Sequence, residues 1–411
     1  MKKEAVAITG VGVLSPIGLD VEGVADALRT GRSGIERITA PPLSREFPAG
    51  TVKQDFAEAF TRLELPFLDR CQQLAIVSAR QALQDAGIED FTGFGQRAGL
   101  YYGNVNGGAA ATLDWSRQLL LEDKQAARPF AAMAIMSNAG AAQIAIRHRI
   151  LGPVVTHASA CGSSGVALGE AARAIADGYL DVAVAGGAEA PLTAGVLGVF
   201  SGTRAMSRPD EDDVSRTCKP FSKDRTGLVL GEGSAFVVLE AASRAERRGA
   251  RIHGYLTGYG ISSDAHHIGM PAPEGQVRAL QAALGHARLQ PGDIGYLNAH
   301  ATATDGGDVI ESSAIRTVFG DTDDATRVSS TKAVHGHLLG ATSALEFVIT
   351  LLAMNHRVLP ASAHMGDMDP RCKLNHVGPV PLQDAEFDHA LSFSCGFGGT
   401  NVALIVSRNP G

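Results

Sequence analysis

The chain alternates short, wholly apolar runs with longer stretches in which apolar residues recur every three or four positions. The first kind reads as strand buried on both faces, the second as amphipathic helix. The spacing predicts strands over 6–13, 100–105, 154–157, 182–189, 234–240, 256–262, 294–299, 328–330, 389–394 and 402–407. It predicts helices over 21–30, 69–86, 109–121, 131–149, 166–178, 241–248, 274–286, 308–318 and 337–355. Gly31, Gly87 and Gly178 stand where three of these helices should end. The Pro-rich stretch 38–57 reads as irregular, and the polar stretch 201–225 as a long loop or hairpin.

Strands that alternate with helices imply an α/β sheet covered on both faces. A second series of such units starts near residue 255. The expected organisation is therefore two similar βαβ-rich halves, residues 1–250 and 251–411, repeated in architecture and not in sequence. A chain of 411 residues exceeds one typical core, which agrees with two units.

Composition narrows the class. The chain is 45% hydrophobic and 19% charged, as in a globular soluble protein. Its formal charge is −7 without a basic run, which argues against nucleic acid as a partner. The N-terminal apolar run is broken by Gly10, Gly12 and Pro16, so it reads as a strand and turn and not as a leader. No stretch holds the roughly 20 apolar residues of a membrane span. Cys71, Cys161, Cys218, Cys372 and Cys395 show no paired spacing. A reducing, cytoplasmic setting is expected.

Four motifs fall at strand ends, where open α/β sheets place their sites. The first is Val154-Val155-Thr156-His157-Ala158-Ser159-Ala160-Cys161-Gly162-Ser163-Ser164-Gly165. It reads as strand, tight turn and helix, with Cys161 at the turn. The positive end of the helix dipole should then lower its thiol pKa. The others contain His300 (Asn298-Ala299-His300-Ala301-Thr302), Lys332 and His337 (Lys332-Ala333-Val334-His335-Gly336-His337), and Ser394-Cys395-Gly396-Phe397-Gly398-Gly399-Thr400-Asn401. Singly, each has a bland reading as a turn residue, a solvated charge or a buried cysteine. His335 and His337 flank Gly336, but no cysteine or carboxylate nearby in sequence completes a metal site, so no metal or other cofactor is expected. Together, a thiolate, two neutral imidazoles, an ammonium and a Gly-rich turn suit acyl transfer followed by carbon–carbon bond formation.

These motifs resemble the elongating β-ketoacyl-acyl-carrier-protein synthases of the synthase II type, with the related ketosynthases of type II polyketide pathways. The likeness runs from Ile8-Thr9-Gly10-Val11-Gly12 to the final Gly-Phe-Gly-Gly-Thr-Asn and includes Asp224-Arg225 and Gly231-Glu232-Gly233. It implies a thiolase-like fold of five αβαβα layers and a dimer. It implies that Cys161 takes the acyl chain from acyl-carrier protein, and that His300 and His337 assist decarboxylation of the malonyl-loaded carrier. Lys332 would set the electrostatics and pair with Glu346. The N–H groups of Cys161 and Phe397 would form the oxyanion hole, with Phe397 also acting as a gate.

Alternatives and departures shape what is expected. One alternative is the ketosynthase subunit of a type II polyketide or aryl-polyene system, as a homodimer or paired with a chain-length factor. Another is a non-condensing scaffold, against which Cys161 argues. Cys395 falls roughly where a thiolase carries its second cysteine, but its neighbours, Lys332 and His337 match the synthase. Ala301 and Ala303 replace the usual Gly and Ser, His335 an expected Thr, and Cys395 a Phe of the fatty-acid enzymes. Asn106 aligns with an apolar residue of the acyl pocket, where an unpaired amide would disfavour a saturated tail. An acidic carrier implies a local basic patch, for which Lys124, Arg128, Arg204 and Arg208 are candidates.

Overall fold

The computed structural model describes residues 3–127, 129–320 and 326–410. Its strands are β1 (Val6–Leu14), β2 (Ile35–Thr39), β3 (Glu46–Gly50), β4 (Ala98–Gly103), β5 (Val154–His157), β6 (Val182–Glu189) and β7 (Leu230–Gly231), followed by β8 (Gly233–Ala241), β9 (Gly254–Ser263), β10 (Tyr296–Asn298), β11 (Arg327–Ser329), β12 (His389–Gly396) and β13 (Thr400–Ser407). Ten of them hydrogen-bond in the order β11-β10-β12-β13-β9-β1-β8-β6-β4-β5.

That order is a repeat read outward from its middle. From β1, the neighbours are β8 (antiparallel), β6 (antiparallel), β4 (parallel) and β5 (parallel). From β9, they are β13, β12, β10 and β11 with the same sequence of directions. The two series meet where Ala7 pairs with Tyr255 and Ile8 with Gly254.

Helices divide the space into layers. Arg70–Ala86 covers the outer face of β1 and β8, and Pro273–Ala287 covers β9 and β13. Ser163–Ala176 and Thr342–His356 lie between the two series, against β6 and β4 on one side and β12 on the other. The result is the αβαβα arrangement of a thiolase-like fold. Leu345, Phe347, Val348, Ile349 and Leu351 of the second central helix are all 0% exposed. Each such side chain contributes about 1.5–3 kcal/mol by leaving water. At Gly165 a Cβ would come within 3.0 Å of Ser343, so the missing side chain lets the two central helices dock at their N-termini.

Three differences from the sequence pattern have local causes. The stretch 38–57 contains the end of β2 and all of β3, which form a hairpin with Phe47 and Ala49 buried, although Pro48 sits opposite Arg37 in its ladder. Proline argues against a strand because it offers no ladder N–H, which hid this element. The helix expected over 131–149 is two, Ala131–Ile135 and Ala139–His148. The helix expected from His337 begins at Thr342. The His337 N–H bonds to Val229 O at 2.7 Å, and Gly336 adopts φ 72°, so the backbone leaves the helical path before the histidine.

Candidate active site

Cys161 sits in the 3₁₀ turn Ala160–Gly162 that leads into helix Ser163–Ala176. Ala160 takes φ 49°, and the turn is held by the Ser159 N–H to Ser163 Oγ (2.8 Å) and by Ser163 Oγ–H to Ala160 O (2.6 Å). Ser343, from the other central helix, donates to Cys161 O at 2.8 Å. The turn is therefore fixed from both halves of the chain.

His337 Nε2 lies 2.9 Å from Cys161 Sγ, and its Nδ1 lies 2.8 Å from Thr342 Oγ1. A hydroxyl both donates and accepts, so Thr342 supports either tautomer of the ring. His300 follows β10. Its ring centre is 5.3 Å from that of His337, with the planes at 85°. The thiol sulfur and the two imidazole nitrogens are mutually within 4.8 Å. His335 is not part of this set: its Nδ1 faces Gly336 O (2.7 Å) and its Nε2 faces Thr331 Oγ1 (3.0 Å).

Lys332 is fully buried and bonds Glu346 Oε1 at 2.5 Å. The pair ties the turn after β11 to the central helix Thr342–His356. Burial pushes the Glu346 carboxyl up to about 7, against the pull of Lys332. Burial also holds the His300 and His337 imidazoles well below their usual range, and the positive charge of Lys332 adds to it. Both rings are thus neutral N–H donors near pH 7.

The thiol departs from expectation. Burial pushes Cys161 up to about 11, although Lys332 and the N–H groups of Phe397 and Cys161 all favour the thiolate. The turn does supply those N–H groups, but desolvation of the buried sulfur outweighs them. At rest the site is a thiol beside a neutral imidazole.

A cavity of about 330 Å³ opens onto the sulfur. Cys161, His300, His337, Cys395 and Phe397 all line it, and Phe397 is 49% exposed. Gly398 and Gly399 hold φ 85° and 84°, which lets the turn place the Phe397 N–H at the sulfur. Burial raises the Cys395 thiol well above its usual value, so it stands protonated in the same cavity.

Other expected residues fall elsewhere. Asn106 does not line this cavity: its side-chain amide donates to Glu189 Oε1 at 3.2 Å, and its backbone N–H donates to the same oxygen at 3.0 Å. Being satisfied, it does not impose the desolvation cost on a saturated tail that its polarity suggested. Arg204 and Arg208 line a broad surface cavity of about 1120 Å³ together with Arg37 and Arg45, two residues the sequence reading missed. Ala205, next to Arg204, lines the catalytic cavity. Lys124 is exposed and bonds Gln118 (3.0 Å) and Glu122 (3.2 Å). Arg128 lies outside the described residues.

Glu311 was also missed. Its two oxygens accept the N–H groups of His300 (2.6 Å) and Ala301 (2.7 Å), which fixes the backbone beneath the first imidazole. Burial, with Asp308 adding to it, pushes its carboxyl up to about 8. The signal was present as Asp308, Glu311 and Ser312, a polar stripe at helical spacing on the buried face of Asp305–Phe319.

A mixed sheet repeated about its centre, with a cysteine from one half facing two histidines from the other, defines a thiolase-fold condensing enzyme. The chain belongs to the β-ketoacyl synthase family: residues 3–245 match the model of the beta-ketoacyl synthase N-terminal domain and residues 253–366 that of its C-terminal domain. It is 36% identical over 413 residues to the 3-oxoacyl-[acyl-carrier-protein] synthase 2 of Staphylococcus aureus (strain COL), covering 99% of both chains. Its fold matches the ishigamide ketosynthase/chain length factor with a TM-score of 0.91 at 31% identity, over 99% of this chain and 100% of that one. It also matches the ketosynthase ApeO, solved in complex with its chain length factor ApeC from Xenorhabdus doucetiae, with a TM-score of 0.85 at 26% identity, over 99% and 98% of the two chains.

Proposed function

We propose that this protein is an elongating β-ketoacyl-acyl-carrier-protein synthase that performs a decarboxylative Claisen condensation. The observation that carries the reading is the 2.9 Å approach of Cys161 Sγ to His337 Nε2 with His300 set at right angles beside it. Cys161 attacks the thioester of an acyl-loaded carrier, and its proton passes to His337. The N–H groups of Cys161 and Phe397 hold the oxyanion, and the carrier thiol leaves with the proton. Malonyl-loaded carrier then enters past Phe397. Neutral His300 and His337 donate to its thioester oxygen, His337 in the tautomer that carries its proton on Nε2 while the Thr342 hydroxyl donates to Nδ1, and this stabilises the enolate left as carbon dioxide departs. The enolate carbon attacks the Cys161 thioester, the tetrahedral oxyanion collapses and expels the Cys161 thiolate, the thiolate takes a proton from solvent, and the product leaves two carbons longer. In this reading residues 1–250 carry the nucleophile and residues 251–411 carry the imidazoles, Lys332 and the glycine turn. The reaction belongs to the cytoplasm, in keeping with five free cysteines and, among the described residues, no helix long and apolar enough to cross a membrane.

The partner chain admits a second reading. β5 is the end strand of the ten-stranded sheet, and Ile146, Leu151 and Val154 beside it are 74%, 63% and 41% exposed. Such an edge favours pairing with another chain of the same fold. The relatives solved with chain length factors support a partner that is either a second copy or a homologue of the chain-length-factor kind.

The test is mass spectrometry of the intact protein after incubation with acyl-carrier proteins bearing candidate acyl groups, followed by addition of malonyl-loaded carrier. The expected result is an acyl adduct on Cys161 that disappears as the elongated 3-oxoacyl product forms. An adduct-free Cys161 with every carrier would refute the reading.

A further inference from the structure

The condensation steps leave Gln276 without a role, yet it lines the catalytic cavity beside Glu311 and Cys395. Gln276 lies in the first turn of helix Pro273–Ala287 and is 1% exposed, and its Oε1 has no hydrogen-bond partner among the described residues. Several other polar residues of the wall are engaged, although His300 Nδ1 is unpartnered as well. Both Glu311 oxygens accept backbone N–H groups, the hydroxyls of Thr302 and Thr304 lie 3.1 Å apart, and His267 Nδ1 accepts from Gly269 and Met270. Nearby Asn401 directs its amide to Asp264 Oδ1 (2.7 Å) and Gly399 O (3.3 Å). A buried acceptor with no partner is costly, and one on a residue that lines a ligand cavity points to a partner that arrives with the ligand.

We propose that Gln276 is a specificity-determining residue whose carboxamide oxygen accepts a hydrogen bond from an N–H or O–H donor on the thioester substrate. The inference rests on the ketosynthase reading and deepens it, because a plain saturated acyl chain or a malonyl group carries no such donor. The two sources of the donor are an amide N–H of the carrier's thioester arm and a hydroxyl on the acyl chain.

The experiment compares the full-length protein with Gln276→Met, which keeps the length of the side chain and removes the acceptor. Condensation is measured with malonyl-carrier protein, with malonyl-N-acetylcysteamine, and with a malonyl alkylthioester of matched length lacking the amide. Each is paired with saturated and with 3-hydroxyacyl primers. If the arm is the donor, Gln276→Met raises KM about five- to tenfold for both amide-bearing thioesters, with kcat within about twofold, and leaves the alkylthioester unchanged. If the hydroxyl is the donor, KM rises only for the hydroxylated primers. KM unchanged for every substrate means that water alone faces Gln276 and overturns the proposal. Should Gln276→Met fail to fold, Gln276→Glu, which keeps an acceptor oxygen, is expected to hold KM near the parent value, and a five- to tenfold rise there overturns the proposal equally. Failure of the ketosynthase reading itself is separate: the unaltered protein would then condense none of the malonyl thioesters.

Discussion

The Cys161 sulfur and His337 Nε2 meet at 2.9 Å although 176 positions separate them in the chain. The contact exists because the two central helices dock at their N-termini, with Ser343 bonding Cys161 O and Ser164 Oγ accepting the Ala344 N–H at 2.9 Å. It also decides how the nucleophile is made. With the thiol pushed up to about 11, little thiolate is present near neutral pH. The rate of Cys161 alkylation by iodoacetamide is therefore expected to climb steadily from pH 6 to pH 10. The sign follows from the raised pKa: each unit of pH raises the thiolate fraction about tenfold until pH approaches that value. A plateau at or below pH 8.5 would show that the dipole and the N–H groups outweigh burial after all.

The two imidazoles stand in different relations to the sulfur, so their removal should divide the reaction. His337 touches the sulfur, and His300 reaches the cavity without touching it. His300→Ala is expected to leave acylation of Cys161 within a few-fold of the parent while lowering condensation by about 10²- to 10⁴-fold. His337→Ala should slow both half-reactions. Single-turnover acylation, followed by mass, separates the steps from condensation. Equal loss of both half-reactions in His300→Ala would remove the distinction.

Lys332 and Glu346 bind each other in full burial, which makes the loss of one partner worse than the loss of both. Lys332→Met leaves a buried carboxyl alone and is expected to lower stability by about 3–5 kcal/mol. Adding Glu346→Leu should recover much of that loss, as seen in the denaturation midpoint. The same lysine also helps hold both imidazoles below their usual range. Their protonation inactivates the site as pH falls. Removing the positive charge lets them protonate at higher pH, so the acidic limb of the rate profile in Lys332→Met should move upward. A limb that stays in place would mean that burial alone depresses these rings.

The site was legible in the sequence wherever a chemically distinctive side chain fell at the end of an apolar strand, as with Cys161, His300 and Lys332. What stayed hidden depended on burial or on distant partners. The elevated thiol pKa comes from the surrounding cavity, which a helix-dipole argument does not contain. Glu311 acts by accepting N–H groups ten and eleven positions away, across a turn whose path no periodicity gives. Asn106 read as an unpaired amide because Glu189 is remote in sequence. The hairpin of β2 and β3 was masked by Pro48, which lies inside β3 opposite Arg37. The architectural repeat could be read from the order of elements, but its exact mirrored strand order needed coordinates.

The groove lined by Arg204 and Arg208 gives the last prediction. The chain is net negative, so steering of an acidic partner requires local positive charge. Arg204 and Arg208 line the same surface cavity as Arg37 and Arg45, but Arg37 is already paired with Glu46 at 2.8 Å and Arg45 packs over the Phe47 ring at 4.5 Å. Arg204 and Arg208 are exposed, and Ala205 carries this wall directly into the catalytic cavity. Charge placed there acts on encounter and not on chemistry. Arg204→Glu with Arg208→Glu is expected to raise KM for carrier-bound malonyl by about tenfold, leave kcat and the denaturation midpoint nearly unchanged, and weaken the salt dependence of the reaction. Malonyl-N-acetylcysteamine, which brings no carrier, should be condensed as before. An unchanged KM for the carrier would place its docking surface away from this groove, and a loss shared by both substrates would mean that the substitutions disturb the cavity wall instead.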